Sequence, residues 1–483
     1  MKKTLCLLLC FIMLLGVLVG CKKNTPPSTD TTTPGDTQPT DTSDTGSETG
    51  IRYEIEHEDF SVNGEKRDLL MAVRQNRYHY LWADDKATER VERATYQRNE
   101  AVSQYYGVNI KKKEIGEKAA WATQLAVTDG SIDIAVPDYW WLLEQQDLLI
   151  NLNDKNVLNR NELRFEQEYW YAGWNNGTTI NNKLFTVVGD ASLEVWENIE
   201  MVFFNKAKAN TQSVNLYEMV DNGQWTIDQM LILSRNAASG LDDSDDTNNI
   251  YGSVYDVHSL RAQLFSAGLV LVDTSQGTLN VVAQERTLNL DICDKVKTLI
   301  HDQATSYYTS TARVDDGKVK MFTSGQTMFY ATALYLGYTI NSQTSVPSFG
   351  VIPMPKYDAE TQQNYITTSY GVSVFAIPKI CTDYHFAAKI LDALNYYSAD
   401  TTLDAFYNKA MRGQLAEGSD DVRMLDLAKD TMYFDMGWIL YDSSFSVFGA
   451  FQTATVNNAE VALADAMTST MQALSDLQAF YNK

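Results

Sequence analysis

The residues best equipped for chemistry sit in one stretch, "SIDIAVPDYWWLLEQQDLL" (131–149), where Asp138, Tyr139, Trp140 and Trp141 follow a short apolar run. A carboxylate beside three rings suits recognition, because rings offer flat apolar faces and a carboxylate accepts directional hydrogen bonds. Two readings are open: the rings are core, or they floor a binding cleft. Other chemistries find less support. The five histidines (His57, His79, His258, His301, His385) show no metal-ligand spacing, and "HED" at His57 lacks the second histidine of a zinc-protease motif. There is no phosphate-cradling glycine loop and no G-x-S-x-G. The stretch "DDSDDTNNIYG" (242–252) has Thr247 and Ser253 where a calcium loop counted from Asp242 needs Gly and Glu, so a solvated acidic loop is expected. Carboxylate pairs suited to glycoside hydrolysis are numerous among 62 acidic residues, and none is singled out. Neither a cofactor nor a metal is expected.

The ends of the chain and its charge limit where such a site could work. Met1-Lys2-Lys3 precedes an uncharged run, Leu5 to Val19, which is too short to span a bilayer comfortably and has the form of an export signal. "LVGC" (18–21) resembles the lipobox of bacterial lipoproteins, which implies cleavage before Cys21 and diacylglycerol on its thiol. An ordinary secretory signal with an incidental cysteine is the plainer alternative. Residues 22–50 carry no aliphatic or aromatic side chain, so they bury nothing and read as a disordered tether. The expected location is the outer face of the cell membrane, held by lipid. Past the tether only Cys293 and Cys381 remain, far apart, and no disulfide framework is evident. A net charge of −23 argues against nucleic acid and anionic lipid as partners.

The elements that would position the aromatics follow from periodicity. "LLMAVRQ" (69–75) reads as a first strand and "HYLWADD" (79–85) as the loop after it. From about Thr88, Val91, Ala94, Ala101, Val102 and Tyr105 share a helical face that Gly107 stops. "VNIKKKEI" (108–115) is a strand, a helix carries Trp121 and Leu125, and "IDIAV" (132–136) is the next strand. Short strand–helix alternation predicts a mostly parallel α/β sheet. "NKLFTVVGD" (182–190), "IEMVFFNK" (199–206) and "YGVSVFAIPK" (370–379) are further strands. In "QWTIDQMLIL", Thr226 and Gln229 form a capping box and Trp225 staples onto Met230. The last 60 residues are helical by pattern. About 430 residues beyond the tether are too many for one core, so two lobes are expected.

Several phrases, in order, carry a resemblance: "ATYQRNEAVSQYYGVNI", "NNKLFTVVGD" with "VFFNK", "NLYEMVDNGQWTIDQML", "FTSGQTMFY" with "FGVIPMPKYD", and "YGVSVFAIPK" before "AAKILDAL". Together they resemble the extracellular solute-binding proteins of ABC importers, in the carbohydrate-receptor group (family 1), over nearly all of residues 68–483. The resemblance implies a two-lobed periplasmic-binding-protein-like α/β fold, with two mostly parallel sheets flanked by helices and joined by crossover strands. It places a signal at 1–20, the tether at 21–50, a lead-in at 51–67, lobe 1 at 68–196 with 364–420, and lobe 2 at 197–363 with 421–483. Hinges are expected near 191–202 and 360–372. The implied function is capture of a sugar in an interlobe cleft and delivery to ABC permease subunits, by a monomer that is not an enzyme.

On that fold the loop after "IDIAV" lies at the carboxyl end of a strand, where open α/β sheets bind ligands. Tyr139 and Trp140 can then face the cleft, with Asp84, Asp85, Trp174, Asn175, Asp190, Trp196, Tyr330, Tyr335 and Tyr370 as further candidate contacts. Each has a plainer reading. Trp141 is expected to be core, Trp225 a staple and Trp438 packing. For Trp140 and Trp174 core and site are equally open, and Asp84 and Asp190 would otherwise tie loops or cap helices. A surface glycan-degrading lipoprotein and a receptor for a peptide or polyamine are the competing functions.

Overall fold

The computed structural model of the chain describes residues 54–482 except 128–131, 160–161, 242–248, 283–286, 303, 310–315, 344–345, 370, 412–417, 440–454, 456–474, 476–477 and 480. The expected export signal, Cys21, the expected tether, the acidic stretch 242–248, Tyr370 and most of the C-terminal region expected to be helical lie outside the described residues.

Ten strands are described: β1 Arg67–Arg74, β2 Val108–Ile115, β3 Ile134–Val136, β4 Glu200–Asn205, β5 Tyr251–Asp256, β6 Val272–Asp273, β7 Asn280–Val281, β8 Ser306–Thr309, β9 Thr327–Ala333 and β10 Phe349–Pro353. The first sheet has the order β2-β1-β3 and is parallel throughout, with Met71 opposite both Lys112 and Ile134. The second has the order β10-β4-β9-β5-β8. There β5 runs parallel to β8 and β9, while β4 runs antiparallel to β9 and β10, so this sheet is mixed and not mostly parallel. Strands β6 and β7 form a separate hairpin.

Local sequence accounts for the helices around the first sheet. Helix α1 (Arg90–Tyr106) starts where the Glu89 carboxylate accepts from the amides of Val91 and Glu92, and it stops at Gly107, φ +65°. A side chain at Gly107 would also collide with Ser61 and Asp59, at 2.2 and 2.3 Å. Only glycine meets both demands. Helix α2 (Lys118–Ala126) buries Trp121 and Leu125. "NKLFTVVGD" and "YGVSVFAIPK", read above as strands, make only single bridges, such as Val187 with Phe375 and Ala135 with Ala376. Their β-type composition suits an extended chain, but each finds its partner outside a continuous ladder.

Each sheet has its own apolar packing. Leu69, Met71, Val102, Tyr106, Val136, Phe386 and Leu391 pack beneath the first, and Phe203, Trp225, Val254, Phe265, Phe329 and Val351 around the second. Thr226 caps the helix Ile227–Ala237 by accepting from the amide of Gln229 at 3.4 Å, one half of the expected capping box, and the buried Trp225 donates through Nε1 to the carbonyl of Pro353 at 2.8 Å. The lead-in is docked on the end of helix α1: the Phe60 amide donates to the carbonyl of Tyr106 at 2.9 Å, and the hydroxyls of Tyr105 and Tyr106 donate to the carbonyls of Ile55 and Glu56 at 3.0 Å.

One carboxylate ties the loop 164–170 to the long helix Tyr384–Ser398. Asp392, 3% exposed, accepts from Arg164 Nε at 3.0 Å, Tyr169 OH at 3.0 Å and Trp170 Nε1 at 3.1 Å. Removing it strands a largely buried guanidinium and two ring donors. Asp392→Ala is therefore expected to lose about 3–5 kcal/mol of unfolding free energy in urea denaturation, an effect well above that of a surface substitution.

Candidate functional site

Two stretches of chain that pass between the sheets lie side by side. Val187 and Phe375 exchange amide–carbonyl bonds of 2.9 and 2.8 Å, and the amide of Glu200 donates to Thr368 at 3.0 Å. Between these points Ser369 Oγ donates to the carbonyl of Val195 (2.7 Å) and Asn198 Nδ2 to that of Gly371 (3.1 Å). Amides at such depth must be paired, and at these points the two passages pair with each other.

Around this junction the carboxyl ends of the first sheet deliver charge. Arg74, the last residue of β1, pairs with Asp138 just past β3 (3.0 Å) and with Glu194 of the first passage (3.1 Å). Arg77 lies 3.9 Å from Glu194, and Ser373 of the second passage donates to it. Burial pushes the Asp138 carboxyl up to about 7, aided by Glu194 and opposed by Arg74. One turn on, Glu197 accepts from the hydroxyl of Tyr80, and burial raises its pKa from the ordinary 4.5 to about 7.

The aromatic candidates gather here but turn toward each other. Tyr139 is 2% exposed and meets Trp174 at 5.8 Å; Trp174 meets Phe434 at 5.2 Å and donates to the carbonyl of Thr186. Trp196 lies between Tyr171 (5.2 Å) and Tyr407 (5.6 Å), with the Lys429 ammonium 5.4 Å from its ring. Asp190 is buried beside the Tyr171 hydroxyl, whose pKa it and burial raise. Tyr335 is half-buried, and its amide donates to the carbonyl of Glu197 at 2.9 Å. Tyr330 stands apart, sealed in β9 against Phe322. Asp84 and Asp85 are exposed, and Asp84 accepts from the amide of Lys86, a loop tie. Trp140 lies on the helical turn Tyr139–Leu142, its side chain outside the described ones. Trp141, expected to be core, is only half-buried at the edge of a core cluster, with its ring 6.4 Å from that of Trp121.

Open space lies next to the aromatic cluster, beyond the helix Ala172–Thr178, whose Trp174 faces the rings. A cavity of about 860 Å³ is walled by residues 152–184 and by Thr274, Ser275 and Gly277 of the β6–β7 turn. That volume is within the roughly 300–1,000 Å³ of small-molecule sites. Asparagines 153, 159, 175, 176 and 182 line it, together with one lysine, Lys155, and one acid, Glu166. The β6–β7 turn is bonded to the opposite wall: Thr274 Oγ1 donates to the carbonyl of Gly177 at 3.0 Å, and the Asn181 amide donates to Gly277 at 2.7 Å. Asn181 and Asn182 have φ of +49° and +59°, the paired left-handed geometry of a tight hairpin turn that asparagine tolerates. Asn175 is 6% exposed, and among the described residues neither its Oδ1 nor its Nδ2 meets a hydrogen-bond partner. A buried polar group left unpaired costs about 1–3 kcal/mol. The signal for this wall was compositional: "NLNDKNVLNRNELRF" (151–165) and "WNNGTTINNK" (174–183) are asparagine-rich, but only Asn175 stood among the candidates.

Among the described residues no three His, Cys, Asp or Glu side chains converge as a metal site would require, and no helix is long and apolar enough to cross a membrane. No sequence-family model and no curated protein matches the chain. Solved structures do match in fold. A galacto-N-biose-/lacto-N-biose I-binding protein of an ABC transporter from Bifidobacterium longum, in complex with lacto-N-biose, superimposes with TM-score 0.56 at 14% identity over 87% of this chain and 99% of that one. A sugar transporter protein from Rhizobium etli in an open conformation gives 0.55 at 15% identity over 84% and 99%. A cyclic α-maltosyl-1,6-maltose binding protein from Arthrobacter globiformis gives 0.55 at 14% identity over 86% and 99%. The chain therefore has the two-lobed α/β fold of these binding proteins.

The raised Glu197 pKa has a consequence for stability. Between about 4.5 and 7 the folded state holds a proton that the unfolded state releases, so this group's contribution is greatest below 4.5 and is lost as pH rises to about 7. Thermal melts across that range are expected to show stability falling with pH, and Glu197→Gln to show a shallower fall. An unchanged slope in the variant would remove Glu197 from the account.

Proposed function

We propose that the chain is the solute receptor of an ABC importer, lipid-anchored through Cys21 at the outer face of the bacterial membrane, and that it takes a neutral sugar or oligosaccharide. The observation that carries this reading is the amide-lined cavity, walled by residues that follow β3 on one side and by the β6–β7 turn on the other. Amide and hydroxyl side chains suit sugar hydroxyls, since each can donate and accept, and the balanced pair Lys155 and Glu166 leaves the wall without net charge. The fold shared with three sugar-binding neighbours supports the same reading.

In this reading lobe 1 comprises 68–196 and 364–420 and lobe 2 comprises 197–363 and 421–483. A monomer closes over the solute by bending near 191–202 and 360–372, the hinge mode of domain closure. The bonds from Thr274 and Asn181 across the cavity then belong to the closed state, and closure is what permease subunits sense. The sugar leaves unaltered.

Thermal shift against neutral mono- to tetrasaccharides tests the proposal. A ligand held only by the native state raises its stability by about 2.7 kcal/mol at a hundred times its dissociation constant. At least one member of the panel is expected to raise the melting temperature and to be recovered intact by chromatography. Shortened products would overturn the receptor reading in favour of a hydrolase, and no shift across the panel would overturn the sugar.

A further inference from the structure

We infer that His385 fastens the lead-in as an imidazolium held between two carboxylates, a clasp that loosens as pH rises. His385 lies in the first turn of the helix Tyr384–Ser398, where its two ring nitrogens meet acids from different parts of the chain. Nδ1 is 2.6 Å from Oε1 of Glu162, and Nε2 is 2.9 Å from both carboxylate oxygens of Glu58 in the lead-in. Glu162 is buried, and its other oxygen accepts from the amide of Asn159 at 3.0 Å, so it is the fixed side of the clasp. An ionised carboxylate only accepts, and a neutral imidazole carries a single N–H. Both contacts are hydrogen bonds only while the ring is doubly protonated.

The other ties of the lead-in do not titrate near neutral pH. Lys389 Nζ lies 3.1 Å from Glu56, Arg164 Nη1 donates to the carbonyl of Glu54 at 3.4 Å, and Phe60 packs edge to face on Phe386 at 5.0 Å. The remaining charge near the ring is Asp383 on its own helix, which is paired with Arg67 of β1 at 2.8 Å. His57, the second histidine of the lead-in, turns to Tyr105 at 4.8 Å. Burial opposes a charged His385, but the hydrogen bonds with Glu162 and Glu58 outweigh it and hold the pKa above the ordinary 6.5. A raised value means that the docked lead-in binds the proton more tightly than the freed one. The support is therefore complete below 6.5 and is lost as pH rises through the docked value. Each residue freed adds about 3.3–3.6 Å of reach between β1 and the chain before it. The clasp is independent of whether the cavity takes a sugar.

Two measurements on the whole chain test it. In nitrogen-15 histidine NMR the His385 signals, identified by their loss in His385→Gln, are expected to show both nitrogens protonated below a midpoint that lies above 6.5. Glu58→Gln is expected to lower that midpoint. Hydrogen exchange of the Phe60 amide, which the docked lead-in bonds to Tyr106, reads docking itself once corrected for the chemical rate at each pH. Its protection is expected to fall from about pH 5.5 to about pH 9, by about tenfold for every unit that docking raises the histidine pKa. His385→Gln is expected to be flat over that range, at the weak protection of wild type in base, which separates His385 from His57. Should that variant not fold, a shallower fall in Glu58→Gln serves in its place. A wild-type midpoint at or below 6.5, or an unchanged pH slope of protection in either folded variant, would overturn the clasp.

Discussion

The arrangement depends on two stretches of chain that cross between the sheets and are hydrogen-bonded to each other at several points. Backbone amides cannot be left unpaired in a packed interior. Val187 with Phe375, Glu200 with Thr368, and the side chains of Ser369 and Asn198 meet that demand across the crossing. The same crossing holds Glu194 and Ser373, which receive Arg74 from the end of β1. One strip of paired chain therefore joins both sheets and sets where the carboxyl ends of the first sheet point.

Polar groups near the strip differ in how they are satisfied. The Arg74 guanidinium lies between the carboxyl groups of Asp138 and Glu194, and its removal would leave the two acids buried together without a cation at this distance. The rings of Tyr139, Trp174 and Phe434 pack edge to face, an arrangement favourable in itself. Asn175 belongs to neither set. One residue along from Trp174, it borders the cavity with its amide buried and unmatched among the described residues.

Periodicity and caps were sound guides to local structure. The strand expected at 108–115 is β2 to the residue, Gly107 ends α1 with a left-handed backbone, and Thr226 caps its helix. Segments 182–190 and 370–379 misled because β-branched and aromatic residues favour any half-buried extended chain, laddered or not. The aromatics after β3 were legible as a cluster, but whether rings meet a ligand or each other depends on residues as distant as Phe434.

By itself the sequence determined the strand–helix alternation around the first sheet, the stop at Gly107, and a net negative charge that disfavours nucleic acid. Those properties reside in neighbouring residues, and local sterics or composition suffice to read them. The tertiary structure alone decided that β4 runs antiparallel to its neighbours, that Tyr330 is sealed in a core, and that two asparagine-rich loops meet the β6–β7 turn around a cavity. These depend on contacts between residues about a hundred or more positions apart, such as Asn181 with Gly277, and no local pattern encodes which distant segment will supply the partner.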